Sequence, residues 1–558
     1  MKLFRKRRKV TRYKELVPED ILLDAENLPD FDSNRLEGKL ERPIPRSTYQ
    51  GISFTLGALF IILIVQAAQL ELVKGAGYAA QSERNRVRPE VLFASRGAIV
   101  DRNGEVLVSN KETSTDVIER EYAYPGFSHL LGYVSYPRKD SSGNYYDKKI
   151  TGLSGVEVAM NDRLAGTNGT LLVEEDARGT VQSQGTVVAP IPGENVELAI
   201  DARAQRALSK AISELAERIP FMGGSGILMD VETGEVHALV SYPEYNPNVL
   251  SSGGPSDVIA AYQRDTRQVY LDRAVSGLYT PGSIIKPMEA AGAISDGNVT
   301  AEQGIVSTGS ISIPNKYDPS RPSIFKDWKA HGWVDARRAI AVSSDVYFYA
   351  VGGGYGDIKG LGIERLAYWY SAFGFTSRTG IELPQEAVGF VPTPAWKEKE
   401  LKEPWRLGDT YNTAIGQYAM QITPLEAARA VAAVANGGKL VKPTVLKGQL
   451  PEGQSIAISP YALRVAREGM RLGATEGTSI GLNDLSFVKL SGKTGTAQLG
   501  FHNEWYNSWA VGYFPYDKPK YAYVVVMERG SSGNSVGGIF VMHQFLRELH
   551  KTAPEYFQ

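Results

Sequence analysis

The sequence predicts an α+β domain that follows a β-rich module and one transmembrane helix. In the region 196–550, strand-like segments stand at both ends and helical stretches fill the middle. That order is typical of an α+β domain whose sheet joins both ends of the segment. The preceding region, 73–195, is rich in Gly, charged and β-branched residues, and turn signals such as Asn-Gly and Arg-Gly divide it. An uncharged apolar segment precedes both.

The composition is that of an ordinary globular protein. Of the 558 residues, 43% are hydrophobic and 22% are charged, which argues against a disordered chain or one that crosses a membrane many times. The 61 Lys and Arg nearly balance the 62 Asp and Glu, so we expect no nucleic-acid partner. The chain has no cysteine, which excludes disulfide scaffolds, cysteine nucleophiles and thiolate metal sites.

The predicted anchor is the uncharged segment Ser47–Leu70. Its 24 residues would reach about 36 Å as a helix, enough to cross a hydrocarbon core of about 30 Å. Because residues 2–14 are basic and contain no acid, the positive-inside rule keeps the N-terminus in the cytoplasm. A cleaved signal peptide would have a shorter apolar core closer to Met1, and a buried core helix rarely lacks charge over this length. We therefore predict a cytoplasmic tail, 1–46, and a single-pass anchor in the cytoplasmic membrane, 47–72, with everything later exported.

The region 196–550 begins with a predicted strand, VELAID, and a predicted helix behind Asp201, a good N-cap residue. The segment SGILMDVETGEVHALVSYP predicts a β-hairpin with a Glu-Thr-Gly turn. We expect helices over Ser283–Ile294, Asp335–Gly352 and Thr423–Ala435. The segments FVKLSGKTGTAQ, NSWAVGYF and KYAYVVVMER predict three consecutive strands.

The first candidate motif is Ser283-Ile-Ile-Lys286. If Ser283 begins a helix, Lys286 lies one turn later on the same face, and Pro287 is tolerated there because first-turn amides lack partners. A buried lysine with a depressed pKa can take the proton of a serine nucleophile. The alternative is coincidence, since Ser323 and Lys326 have the same spacing without supporting context.

The second candidate motif is Ser343-Ser344-Asp345. On one continuous helix Ser343 and Asp345 would be offset by about 200°, so both reach one site only if the backbone is irregular there. Taken alone, the segment is better explained as an N-cap with Asp345 at the start of a helix.

The third candidate motif is Lys493-Thr494-Gly495-Thr496. It follows a strand and lacks the GxxxxGK frame, which excludes a phosphate-binding loop. A strand edge with Lys, two hydroxyls and a backbone N–H suits a carboxylate beside an oxyanion, and Gly495 would let a substrate backbone approach. The alternative is a glycine turn with a solvated lysine.

Together the three motifs predict a serine acyl-transfer enzyme with two lysines in place of a Ser-His-Asp triad. Ser343 follows Ser283 by 60 residues and Lys493 follows Ser343 by 150, and no histidine falls within the motifs. Asp318, Asp327 and His331 could form a metal cluster, but their spacing is not diagnostic and a solvated polar loop is the favoured interpretation. We expect neither metal nor cofactor.

The chain resembles the class B penicillin-binding proteins, the peptidoglycan transpeptidases, from the anchor nearly to the C-terminus. The likeness includes RGAIVDRNGEVL, GLSGVE and GENVELAID in the first module, MDVETGEVHALVSYPEYNPN, and then GLYTPGSIIKP, GDTYNTAIGQ and LSGKTGTAQ in order. The segment GWVDARRAIAVSSDVYFYAVG resembles the elongation-type members that serve rod-shaped growth. The resemblance implies the penicillin-binding transpeptidase (serine β-lactamase-like) fold above a pedestal or dimerisation module.

The resemblance also implies roles for the catalytic candidates. Ser283 would be the acylated nucleophile, Lys286 its general base, and Ser343 a proton relay to the leaving group. Asp345 stands where the broad superfamily has Asn, which replaces an amide donor by an acceptor-only carboxylate. Elongation-type relatives often carry Asp there, so we interpret it as a mark of the subtype, and its contribution stays open.

The implied substrate is a peptidoglycan stem peptide ending in D-Ala-D-Ala, and β-lactams would acylate the same serine. Lys493, Thr494 and Thr496 would hold the terminal carboxylate, and the N–H groups of Ser283 and Thr496 would form the oxyanion hole. The region 73–195 is too short for a glycosyltransferase domain. A separate membrane glycosyltransferase of the elongation complex is therefore the expected partner.

Three other functions are compatible with parts of the pattern. A β-lactamase needs a water-activating residue for rapid deacylation, and no glutamate motif for it is evident. A β-lactam sensor would need more cytoplasmic or transmembrane sequence than the 46-residue tail. A non-catalytic scaffold of a cell-wall growth complex stays open because of Asp345.

Overall fold

The fold is described by a computed structural model of the chain. It describes residues 44–111, 118–175, 180–315, 318 and 320–558. The chain divides into two compact units. The first contains the N-terminal region to Arg88 and Glu174–Thr180, and the second contains Pro89–Val173 and Val181–Gln558. The predicted cytoplasmic tail lies outside the described residues except for its last three positions.

A helix long and apolar enough to span a membrane is present where the anchor was predicted. Helix α1 (Arg46–Ala68) continues through a π-helical turn, Gln69–Val73, and none of its side chains is buried within the protein. Helix α2 (Gly75–Arg86) then follows, where we expected short strands. That expectation is wrong because this segment, GAGYAAQSERNR, has no β-branched residue and is rich in Ala, Gln, Glu and Arg, which favour helix.

After α2, the described residues of the membrane-proximal module form short strands and three short helices. Its described strands are β1 (Val87–Leu92), β2 (Ile99–Val100), β3 (Val106–Lys111), β4 (Glu119–Tyr122), β5 (Val134–Ser135), β6 (Arg138–Lys139), β7 (Tyr145–Asp147), β8 (Thr151–Gly152), β9 (Gly169–Glu175), β10 (Val181–Val188) and β11 (Val196–Glu197). Its helices are α3 (Ser128–Leu131), α4 (Gly155–Ala159) and α5 (Asn161–Leu164). β11 pairs in parallel with β2, so the start of VELAID belongs to the sheet of this module.

A buried ion triad stabilises the module. Glu157 pairs with Arg96 at 2.6 Å and with Arg120 at 2.7 Å, and all three side chains are excluded from solvent. Further bonds go from Arg96 to the Ile150 carbonyl and from Arg120 to the Gly97 carbonyl. Because each buried charge is paired and hydrogen-bonded, the triad links the segment between β1 and β2 to β4 and α4 without an unsatisfied ion.

The buried His129 on α3 makes stability sensitive to acid. Its ring donates to the Val269 carbonyl at 2.9 Å, and burial lowers its pKa from 6.5 to about 4. Between these values the unfolded chain binds a proton that the folded chain does not, so stability falls as pH falls below 6.5. At pH 7 the free energy of unfolding should be larger for wild-type protein than for His129→Gln. At pH 5 this difference in unfolding free energy should be smaller by about 2 kcal/mol. Urea denaturation of both proteins at the two pH values measures this, and a constant difference would contradict it.

The second part of the chain carries the predicted α+β domain. Its strands are β12 (Gly223–Asp230), β13 (Val236–Tyr242), β14 (Ile305–Ser307), β15 (Ser310–Ile313), β16 (Ser323–Lys326), β17 (Gly332–Val334), β18 (Lys439–Val441), β19 (Gly453–Ser455), β20 (Ser491–Leu499), β21 (Trp505–Phe514) and β22 (Tyr521–Ser531). The main sheet is antiparallel in the order β13-β12-β22-β21-β20. The early hairpin and the three late strands therefore share one sheet, as predicted, and β20 is one of its two edge strands.

Helices of this domain pack on both faces of the sheet. The described helices of the domain are α6 (Ala202–Arg218), α7 (Pro247–Ser252), α8 (Ser256–Arg264), α9 (Lys286–Ser295), α10 (Ala336–Val342), α11 (Asp345–Gly353), α12 (Gly362–Ala372), α13 (Pro394–Leu401), α14 (Leu407–Ala414), α15 (Pro424–Ala435), α16 (Pro460–Thr475) and α17 (Gly538–Thr552). Asp201 caps α6 as predicted, through the amide of Arg203. α6 and α17 share one hydrophobic core with the sheet, whereas α9, α10, α11 and α15 contribute to a second.

Candidate active site

The candidate nucleophile lies on a tight turn between the sheet and α9. Ser283 belongs to a 3₁₀ turn, Gly282–Ile285, that leads directly into α9. The amide of Gly282 donates to the Gly416 carbonyl at 2.8 Å, and Gly282 has a φ of 56°, which favours glycine. Among the described residues, the Ser283 hydroxyl has no hydrogen-bond partner, and it lines a cavity. It is therefore open to a ligand.

Lys286 is fully buried at the base of this turn. Its Nζ donates to Asp345 Oδ1 at 2.5 Å, to the Ser343 carbonyl at 3.0 Å and to Ser343 Oγ at 3.4 Å. Pro287 occupies the first turn of α9, as predicted. The SIIK motif thus meets the SSD motif through direct hydrogen bonds, and the buried Lys286 Nζ lies against a carboxylate.

The chain breaks its helical course at Ser343. α10 ends at Val342, Ser343 is left-handed with a φ of 60°, and α11 begins at Asp345. This irregularity turns Ser343 and Asp345 toward one site, as their predicted offset on a helix required. The N-cap interpretation is also correct in part, because the Ser344 side chain caps α11 through the amide of Tyr347. A strained backbone at a hydrogen-bonded polar residue is typical of functional sites.

Lys493 approaches Ser343 from the edge strand. Its Nζ donates to Ser343 Oγ at 2.8 Å and to the Thr494 carbonyl at 2.7 Å, and the side chain is fully buried. Burial lowers the pKa of Lys493 well below its ordinary value; the charge of Lys286 adds to this shift and Asp345 opposes it. A solvated lysine is thereby excluded. The four side chains form one row, Lys493, Ser343, Lys286 and Asp345, behind the open Ser283.

The structure shows a packing requirement for glycine at position 495 that the sequence did not reveal. A Cβ at this position would lie 2.7 Å from the Pro281 carbonyl and 2.8 Å from Ile284 Cγ2. We predicted that its missing side chain leaves room for a substrate. In the structure the space is filled by the chain itself, and the glycine lets the Ser283 turn pack directly on β20.

Thr494 and Thr496 of β20 line the cavity, and so does Thr478, a residue that the motifs did not include. Thr494 Oγ1 lies 2.6 Å from Thr478 Oγ1, whose backbone amide donates to the Ala341 carbonyl. Thr478 therefore connects the end of α10 to β20. Thr496 is exposed on the edge strand. Nothing in the segment EGTS marks Thr478, because the contact depends on a turn that follows α16.

These residues open onto a cavity of about 1120 Å³. Ser283, Ser343, Asp345, Thr494, Gly495 and Thr496 line it together with Thr478 and the aromatic residues Trp328, Tyr418 and Trp505. The cavity is large enough for a peptide segment rather than a single small group. Six of the eight predicted site residues thus line one cavity, and the other two, Lys286 and Lys493, are buried behind it and bond to Ser343.

The predicted solvated loop around Asp318, Asp327 and His331 is exposed over most of its described residues, but two of its side chains are buried. Asp327 and His331 have buried side chains 3.4 Å apart, whereas Asp318 lies 3.7 Å from Arg321. Asp327 Oδ2 accepts from Ser344 Oγ at 2.9 Å and from the Val346 amide at 3.0 Å. Capping the N-terminus of α11 buries this carboxylate, which the sequence could not show. No group of three metal-binding side chains occurs among the described residues, and residues 316, 317 and 319 of this segment lie outside them.

Comparison with known protein families identifies the family of this chain. Residues 224–545 match the penicillin-binding protein transpeptidase domain, and residues 113–198 match the penicillin-binding protein dimerisation domain. The chain belongs to the family of penicillin-binding protein transpeptidases. The domain boundaries given above, 73–195 and 196–550, stay a prediction.

The chain is similar to curated proteins of the elongation type. The peptidoglycan D,D-transpeptidase MrdA of Acinetobacter baumannii is 30% identical over 601 residues, covering 87% of this chain and 86% of that protein. The protein of the same name from Escherichia coli is 27% identical and covers 88% and 93%. These relatives agree with the predicted elongation subtype.

Solved structures show the same fold. The complex of the penicillin-binding protein PBP2 with MreC from Helicobacter pylori aligns with a TM-score of 0.70 and 26% identity, covering 84% of this chain and all of that one. PBP2 of Pseudomonas aeruginosa, solved in complex with WCK 5153, aligns with a TM-score of 0.68 and 28% identity over 83% of this chain and 96% of that one. Both neighbours support the predicted α+β transpeptidase fold.

Proposed function

We propose that the chain is a membrane-anchored peptidoglycan D,D-transpeptidase that cross-links stem peptides through an acyl-Ser283 intermediate during cell elongation. The observation that carries the proposal is the buried row of Lys493, Ser343, Lys286 and Asp345 behind an unpaired serine hydroxyl. Relatives named D,D-transpeptidases favour this function over a non-catalytic scaffold or sensor.

In the first step Ser283 Oγ attacks the carbonyl of the penultimate D-alanine. Lys286 Nζ takes the serine proton, and Ser343 passes a proton to the nitrogen of the departing D-alanine. The carbon–nitrogen bond breaks, and an ester to Ser283 remains. Because Ser343 Oγ contacts both lysines, it can accept a proton from Lys286 as it donates its own.

In the second step an amine of a neighbouring stem peptide attacks the ester carbonyl and gives its proton to the same row. The ester carbon–oxygen bond breaks, and the released Ser283 oxygen takes a proton back from the row. Lys493, Thr494 and Thr496 hold the terminal carboxylate of the donor, and the amides of Ser283 and Thr496 bind the oxyanion. The low pKa of Lys493 favours its neutral form in the empty site, and an arriving carboxylate favours the protonated form. β-Lactams acylate the same serine, and slow deacylation separates this enzyme from a β-lactamase.

The proposal includes the membrane topology and the partner. The basic N-terminus lies in the cytoplasm and the catalytic domain outside the cytoplasmic membrane. A separate membrane glycosyltransferase of the elongation complex supplies the glycan strands. A structural neighbour supports this partner: it belongs to a peptidoglycan synthase complex that coordinates polymerization and crosslinking, and it aligns with 25% identity and a TM-score of 0.69.

A two-substrate reaction tests this function. Full-length protein in detergent is incubated with a synthetic peptide ending in D-Ala-D-Ala and with a D-amino acid as acceptor. We expect an exchanged peptide by mass spectrometry from wild type and none from Ser283→Ala. Folded wild-type protein that yields neither exchange nor hydrolysis would contradict the proposed activity.

A further inference from the structure

We propose that Lys326 forms a carboxylate-binding subsite for the acceptor amine. The inference rests on the proposed transpeptidase function and names the chemistry of its second substrate. That substrate is an amine whose own amino-acid residue carries a free carboxylate, as in a D-amino acid or a diamino acid with one free end.

The structure fixes the backbone of Lys326 at the cavity wall. Lys326 ends β16, and its carbonyl accepts from the Tyr349 hydroxyl at 3.1 Å. The preceding Phe325 packs edge-on against Tyr349 and Tyr411, with ring centroids 5.8 and 4.9 Å apart. Because successive side chains of a strand point to opposite faces, Lys326 points away from this aromatic cluster and lines the cavity.

Lys326 carries the one charge of the cavity lining without a protein partner among the described residues. Three charged side chains line the cavity: Lys326, Asp327 and Asp345. Asp345 pairs with Lys286 at 2.5 Å, and Asp327 accepts from Ser344 and Val346. No hydrogen bond or ion pair involves Lys326 Nζ in the described part of the chain. An ammonium group beside a substrate cavity is complementary to an anion of the substrate.

The position of Lys326 assigns that anion to the acceptor. Its neighbour Asp327 bonds to Ser344 and Val346, the two residues that flank Asp345. Lys326 therefore lies at the Asp345 end of the row, whereas β20 meets the other end through Lys493. The proposed function places the carboxylate of the donor on β20. A carboxylate bound by Lys326 at the Asp345 end is therefore not that of the donor. It belongs to the acceptor, whose amine gives its proton to the row of Lys493, Ser343, Lys286 and Asp345.

Acceptor competition tests the subsite in the full-length protein. After acylation with a thioester donor, the ratio of aminolysis to hydrolysis is measured with D-alanine and with D-alaninamide, which lacks the carboxylate. Wild type should prefer D-alanine. Lys326→Met should lower aminolysis by D-alanine about fivefold without lowering aminolysis by D-alaninamide, and Lys326→Arg should restore the preference.

Lys329→Met is the matched control. Lys329 is an exposed lysine three residues along, with its Nζ 4.4 Å from the centre of the Trp328 ring, and it does not line the cavity. It should keep the preference of wild type. An equal loss with both acceptors in Lys326→Met, or no loss, would overturn the inference. If Lys326→Met lowered the rate of acylation by a similar factor, Lys326 would bind the donor instead of the acceptor, which would also overturn the inference. Wild-type protein that is never acylated would instead refute the proposed function.

Discussion

Lys286→Met is expected to slow acylation of Ser283 by penicillin about 10³-fold. The substitution removes the only side chain that the proposal uses to take the serine proton, while the methionine keeps most of the apolar length. Asp345 loses its partner, but its side chain is 19% exposed, so water can solvate the carboxylate. We therefore expect a folded protein that binds penicillin and hardly reacts. Rates of adduct formation by mass spectrometry measure this effect.

A buried lysine elsewhere in the domain gives the control. Lys397 is buried and pairs with Asp409 at 2.7 Å, as Lys286 pairs with Asp345. Lys397→Met also leaves a carboxylate unpaired, so it should lower the thermal unfolding temperature and keep the acylation rate. An equal loss of rate in both variants would show that Lys286 acts through stability, which contradicts its role as general base.

Gly495→Ala is expected to slow acylation about 100-fold although it adds a single methyl group and leaves Ser283 itself unchanged. The new Cβ would lie 2.7 Å from the Pro281 carbonyl and 2.8 Å from Ile284 Cγ2, so the turn that carries Ser283 must move off β20. A displacement of about 1 Å at a nucleophile is enough for such a loss. The acylation rate and the thermal unfolding temperature are measured together.

Gly185→Ala is the matched glycine substitution, since a Cβ there would meet no atom within 4 Å. It should leave both quantities unchanged. Gly495→Ala acylated at the wild-type rate would show that the packing of the Ser283 turn on β20 does not position the nucleophile.

Local sequence signals predicted most of the fold. The apolar length of α1, the cap of α6 at Asp201 and the strands at both ends of the α+β domain are local signals, and the structure contains each of them. The helix α2 was missed because a β-rich composition over 73–195 was extended to its first residues. Chain order alone did show that one sheet joins the early hairpin to the late strands.

The site was predictable as a set of residues but not as a network. The spacing of the motifs identified Ser283, Lys286, Ser343 and Lys493, yet the hydrogen bonds of Ser343 to both lysines depend on a left-handed residue between α10 and α11. The role of Gly495 depends on contacts made by residues more than 200 positions away. Such contacts exist only after the elements have packed.

Side chains outside the motifs were beyond the reach of sequence patterns. Asp327 was interpreted as part of a solvated loop, and it is instead the buried cap of α11. Thr478 lies in an unremarkable turn and reaches Thr494 because α16 returns the chain to β20. Burial and partner identity decide the chemistry of both, and neither is encoded in local spacing.

The most direct test is the intact mass of the full-length protein after incubation with penicillin, for wild type and for Ser283→Ala. We predict a stable increase by the mass of one penicillin in wild type, located on the peptide that contains Ser283, and no increase in the variant. An adduct that forms equally in Ser283→Ala, or its absence from folded wild-type protein, would contradict the acyl-serine mechanism. An adduct lost within seconds would indicate a hydrolase instead of a transpeptidase.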